Sequence, residues 1–149
     1  MHGIEFRKAE TVDLRDIHGI ETESFPDGPW DMEVFVSLLT ESDVHFMVAC
    51  CGDAVVGYYL LSFKPPAHSK IGTFAVKPSH RRAGIAKLMI HSIFDTCSIN
   101  DREDVMLEVE ATNEAAIVLY KSFGFVAESR EEDYYGEGKD GCIMWRRAK

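Results

Sequence analysis

Ile71-Gly72-Thr73-Phe74-Ala75-Val76-Lys77-Pro78-Ser79-His80-Arg81-Arg82-Ala83-Gly84-Ile85-Ala86-Lys87 is the stretch from which the rest of the chain can be read. Ile71 to Val76 is rich in residues that favour a strand, and Pro78 stops it. Beyond a basic turn, Ile85, Leu88, Met89, Ile93 and Cys97 recur at helical spacing up to Cys97. A strand therefore feeds a helix through a short cationic turn. The first N–H groups of such a helix lack intrahelical partners, and its dipole adds positive potential there. Gly84 and Ala86 have little bulk, and Arg81, Arg82 and Lys87 add formal charge. The junction can cradle a phosphate, or it can be a basic helix start with no ligand. Gly84 is not followed by Lys-Ser/Thr, so a nucleotide-triphosphate loop is disfavoured. One glycine where three are needed disfavours a dinucleotide fingerprint.

Working outward, Val105 to Val109 predicts a strand. Asn113 predicts the cap of a helix running to Phe123, with Ala116, Leu119, Tyr120 and Phe123 inward and Gly124 just past its end. Phe125–Ala127 and Cys142–Trp145 read as a last antiparallel pair, joined by a polar loop holding Tyr134 and Tyr135. Upstream, Val44–Cys51 and Ala54–Phe63 flank Gly52-Asp53 as a tight hairpin, closed by Pro65-Pro66. Ile4–Phe6 is a short strand. Thr11 is a candidate cap for a helix carrying Leu14, Ile17 and Ile20. Asp31 is one for a second helix carrying Phe35, Leu38 and Leu39, after a Phe25–Trp30 loop. The order β-α-α-β-β-β-α-β-α-β-β predicts an α/β domain. An antiparallel meander is followed by a strand–helix–strand unit in one mixed central sheet, flanked by about four helices.

The 149 residues carry no repeat, linker or low-complexity tract, so one domain over residues 1–149 is expected. The net charge of −9 argues against general nucleic-acid binding. That charge is uneven: residues 54–94 hold 6 Lys/Arg and no Asp or Glu. Such a window suits a local anion site, and equally a buried strand and helix that exclude carboxylates. Cys50, Cys51, Cys97 and Cys142 form no ligand-like cluster with histidine, so no metal is expected. No apolar run approaches membrane-span length, and the N-terminus lacks a secretory h-region. The expectation is a cytoplasmic protein without membrane partners, monomeric or weakly homodimeric.

Arg81-Arg82-Ala83-Gly84-Ile85-Ala86 resembles the R/Q-x-x-G-x-G/A motif of the GNAT acetyltransferases. Leu107-Glu108-Val109, Asn113, Leu119-Tyr120 and Phe123-Gly124-Phe125 are similar to the LEV…N…LY…GF series of that superfamily's ribosomal-protein and protein N-terminal acetyltransferases, the RimI and arrest-defective branch. Ser79-His80-Arg81-Arg82 and the Tyr134-Tyr135…Asp140 ending extend the likeness from about Phe6 to Met144. Ala86 at the second glycine position is permitted by the motif. Glu110, where some relatives carry Arg, and Gly141, where many carry Ala, depart from it.

The resemblance implies a GNAT-like fold and acetyl-CoA as acetyl donor. The diphosphate would be held by Arg81, Arg82, Ala83, Gly84, Ile85, Ala86 and Lys87. The backbone of Phe74, Ala75 and Val76 would pair with pantetheine, with the Val76 N–H near the acetyl oxygen. Asn113 and Tyr120 would also touch the donor. Glu108 is then the candidate general base, as against a solvated strand carboxylate. Tyr120 is the candidate general acid, as against a core aromatic. Phe25, with Pro26 and Trp30, would face Tyr134 and Tyr135 across an acceptor cleft for a protein or peptide N-terminus, as against simple loop packing of Phe25 and Trp30. The alternatives are a small-amine or lysine acetyltransferase, and a non-catalytic CoA-binding module.

Overall fold

The computed structural model describes residues 3–81 and 84–148. Along the chain come β1 (Ile4–Lys8), α1 (Leu14–Ser24), α2 (Met32–Leu38), β2 (Val44–Cys51), β3 (Ala54–Ser62) and β4 (Ser69–Val76). α3 (Ile85–Ile99), β5 (Val105–Glu110), α4 (Glu114–Ser122), β6 (Val126–Glu131) and β7 (Gly141–Arg146) follow. Short 3-10 turns at Thr11–Asp13 and Pro78–His80 precede α1 and α3. The strands form one mixed sheet in the order β1-β2-β3-β4-β5-β7-β6. β1 to β4 run as the expected antiparallel meander, and β4 and β5 are parallel across the α3 crossover. β7 then inserts antiparallel between β5 and β6.

Each sheet face has its own core. Leu14, Ile17 and Ile20 of α1 and Phe35 of α2 pack on Val48, Tyr58, Leu60 and Ala75. Ile85, Met89, Ile93 and Cys97 of α3 pack on Tyr59, Ile71, Leu107 and Val109 on the other side. Much of the acid-free window is this buried sheet and helix, which explains part of its composition. Gly52 takes the left-handed φ of +61° in the β2–β3 turn, as the primed turns of two-residue hairpins require.

The expected caps fare unevenly. Asn113 Oδ1 accepts from the Ala116 N–H at 3.2 Å and starts α4 as expected. Thr11 does not cap α1: a 3-10 turn intervenes, and Glu10 with Asp13 forms a capping box around it. Asp31 occupies the N-cap of α2 without a side-chain cap bond.

Asp13 is buried and accepts two bonds from the Arg7 guanidinium, at 2.7 and 2.8 Å. That hydrogen-bonded pairing holds its carboxyl below the usual carboxylate range. A depressed carboxyl stabilises the fold at neutral pH, and the benefit fades as pH falls through its folded value. Asp13→Asn is therefore expected to lower the Tm by a few degrees at pH 7, a deficit that shrinks as pH drops below about 4. Thermal melts of both proteins across that range check it, and a deficit independent of pH would disprove it.

Candidate active site

β4 and β5 pair over only three positions, Ser69↔Val105, Lys70↔Met106 and Ile71↔Leu107. On its other edge β4 carries a bulge: Leu61 opposes Ile71 and Leu60 opposes Thr73, which leaves Gly72 unpaired. A Cβ at Gly72 would sit 2.7 Å from Leu60 Cδ2, so any larger residue here would have to push the Leu60 side chain aside. Bulges bend the strand that carries them. The parallel ladder ends where the bend begins, and Gly72–Val76 splay away from Glu108–Glu110.

The splay opens a cleft of about 710 Å³. Its backbone polarity follows from register. The Lys77 N–H donates to Val56 O at 2.7 Å, so Val76 opposite Gly57 is a non-hydrogen-bonded position. By alternation Phe74 is another. The N–H groups of Phe74 and Val76 thus face the cleft as free edge donors, while Ala75 is turned to β3. The side chains of Ala75 and Val76 are buried in the two cores, so what this strand offers the cleft is its backbone.

At one end stands the start of α3. Gly84 is its N-cap with φ +78°, a conformation costly for any residue with a Cβ, and the space where that Cβ would sit is open. Ile85 is buried and offers only its N–H; Ala86 lines the cleft; Lys87 is exposed outside its wall. Arg81 also lines the cleft. Arg82 and Ala83 lie outside the described residues. Small residues, free N–H groups and Arg81 fit an anionic diphosphate here.

Glu108 and Tyr120 both line the middle of the cleft. Alternation along β5 buries Val105, Leu107 and Val109 and turns Met106, Glu108 and Glu110 to the α1–α2 face. Glu108 is no solvated carboxylate: it is largely buried and ion-paired with Lys70. Tyr120 of α4 packs on Phe74 and Phe125 with ring centroids 6.1 and 5.8 Å apart. Among the described residues its hydroxyl has no hydrogen-bond partner, and the ring lines the cleft. Burial holds its phenol well above the usual range, so it stays a neutral donor.

The acceptor end is aromatic. Phe25, Pro26 and Trp30 form one side, and Tyr135 the other. Tyr134 stacks edge-to-face on Tyr135 at 5.0 Å. Tyr134 is pushed up to about 12, chiefly by the Glu108 carboxylate as acceptor. Tyr135 is pushed up to about 12 by burial and then by the Glu108 charge. Phe25, Phe74–Val76, Arg81, Ala86, Glu108, Asn113, Tyr120 and Tyr135 thus line one cleft.

Glu21 belongs to the same wall, outside the residues that the sequence motifs mark. It is 2% exposed and accepts from the Trp30 N–H at 2.8 Å, from Thr73 Oγ1 at 3.1 Å, and from Tyr58 Oη. Its signal in the sequence is a carboxylate at core spacing, four residues after Ile17. Lys70 lies within β4, which begins two residues before the Ile71–Val76 strand expected from the sequence. Among the described residues no group of His, Cys, Asp and Glu could hold a metal, and no helix is long and apolar enough to cross a membrane.

Comparison with known proteins gives consistent results. The profile of the acetyltransferase (GNAT) family matches residues 12–125. A putative [ribosomal protein bS18]-alanine N-acetyltransferase of Bacillus subtilis is 28% identical over 141 residues, 93% of this chain and 92% of the relative. The N-alpha-acetyltransferase RimI of Mycobacterium tuberculosis is 31% identical over 124 residues, 80% of this chain and 77% of its own length. The crystal structure of Ard1 from Thermoplasma volcanium superposes with a TM-score of 0.87 at 26% identity, covering 96% of both chains.

Proposed function

We propose, from the premise that this chain belongs to the acetyltransferase (GNAT) family, that it acetylates the α-amino group of protein N-termini. Acetyl-CoA is the donor, and it supplies an activated acetyl thioester. The observation that carries the reading is the splayed edge of β4, with free N–H donors between a diphosphate-suited helix start and the Glu108–Tyr120 pair.

The free N–H groups of Phe74 and Val76 extend the edge for a pantetheine arm, and one of them faces the acetyl oxygen as charge builds there. The first turn of α3, with Arg81, Arg82, Ala83, Gly84, Ile85, Ala86 and Lys87, takes the diphosphate. Asn113 flanks the donor while capping α4. Glu108 removes a proton from the arriving ammonium, directly or through water. Tyr120 protonates the sulfur as it departs. Phe25, Tyr134 and Tyr135 hold the first residues of the acceptor, and the tyrosine hydroxyls donate to its backbone. Glu110 at the cleft wall tunes which sequences enter.

Mass spectrometry of reactions with three acceptor sets tests this: peptides with a free N-terminus, N-terminally blocked peptides with a free lysine, and polyamines. Acetylation at the α-amine of the first set is expected, with little product from the others. Transfer confined to lysine or polyamine would replace the acceptor class. Binding of acetyl-CoA without CoA release for any amine would leave only a binding module.

A further inference from the structure

The mechanism above gives Arg81 a charge to place against a diphosphate. Its hydrogen bonds do something else as well. Arg81 Nε donates to Val76 O at 3.1 Å, and Nη2 donates to Ser24 Oγ at 3.0 Å, across 57 residues of sequence. Val76 is the last residue of the donor strand β4. Ser24 is the last residue of α1, and Phe25 and Pro26 of the acceptor wall follow it directly. One guanidinium thus bridges the donor and acceptor halves of the cleft, and its planar fork lets it serve both at once.

We propose that Arg81 is a positioning residue: a latch that holds the end of α1, and with it the acceptor wall, against the donor strand. This rests on the acetyltransferase reading for its consequence in turnover, but not for the latch itself. α1 is already clamped to β4 at the start of its last turn, where buried Glu21 accepts from Thr73 and from the Trp30 N–H. Past that clamp the helix ends on one backbone bond, Phe25 N–H to Glu21 O at 2.8 Å, and helix ends fray. The Arg81 bridge closes that last turn. The bond to Ser24 is solvent-exposed and easily exchanged, whereas the one to Val76 O is partly buried. Arg81 also leaves the turn that leads into the diphosphate-suited helix start, so the residue that senses the donor also touches the acceptor wall.

The test uses Ser24→Ala, Arg81→Met and the double variant of the full chain. Two measurements are made: hydrogen exchange at the Phe25 and Gly28 amides without ligand, and kinetics with acetyl-CoA and a peptide bearing a free N-terminal alanine. Both amides accept protection from local bonds, Gly28 N–H donating to Phe25 O at 3.1 Å. The expected result is about fivefold faster exchange in Ser24→Ala, a similar rise in peptide KM, and an acetyl-CoA Kd unchanged by that substitution. In the double variant exchange should be no faster than in Arg81→Met, because both remove the same bridge. Unchanged exchange and KM in Ser24→Ala, with Arg81→Met weakening only acetyl-CoA binding, would reduce Arg81 to a phosphate contact and overturn the latch. If exchange responds while no peptide is acetylated, the latch stands and the acceptor class falls.

Discussion

Replacing Glu108 by Gln is expected to lower kcat by about 100-fold at pH 7, and the loss should shrink as the pH is raised. The α-ammonium of an acceptor has a pKa of about 7.7–8.0, so near neutrality a base must take its proton before attack. Above pH 8 or so the amine arrives neutral, and the carboxylate has less to do. The sign is therefore specific: the wild-type to mutant ratio falls with rising pH, while acetyl-CoA affinity holds. The substitution is nearly isosteric, and an amide can still accept from Lys70, so the surroundings of β5 should persist. Steady-state kinetics from pH 6 to 9.5 with one peptide measures the ratio. A ratio flat across that range would take the proton-transfer role from Glu108 and leave it a binding residue.

Tyr120→Phe is expected to lower kcat by an order of magnitude or more without loosening the fold. The ring contacts with Phe74 and Phe125 are aromatic on both sides and survive loss of the hydroxyl. The hydroxyl itself has no protein partner to orphan among the described residues, so Tm should stay within about a degree or two. In the proposed mechanism its role is to supply a proton. Burial holds the phenol above its usual range, so it stays protonated across the pH range of these measurements. Pre-steady-state measurement of CoA release, with calorimetry for acetyl-CoA binding, separates chemistry from affinity. A fully active variant would leave Tyr120 a packing residue, and weakened acetyl-CoA binding with intact kcat would make it a donor contact.

Most of the candidate site was readable as residue types, because the donor machinery is local in sequence. The strand, turn and helix start from Ile71 to Lys87 form one continuous junction, and backbone groups need no partner from elsewhere to be exposed there. Asn113, Gly124 and the Gly52 turn were likewise legible, since caps and turns depend on a few neighbouring residues. What could not be read was anything set by two distant segments meeting. Glu21 looks like one more acidic residue on α1 until Tyr58, Thr73 and the Trp30 N–H converge on it. Lys70 looks like a solvated cation until Glu108 is seen beside it.

By itself the sequence determined the elements, their order and the chemical character of each wall. Periodicity, caps and turn residues are short-range physics carried by neighbours along the chain. The tertiary structure alone decided where the parallel ladder stops, that β7 rather than β6 lies against β5, and that Arg81 reaches Ser24. Those outcomes depend on register and close approach between segments far apart in sequence, and alternation within one strand cannot say which neighbour it will meet.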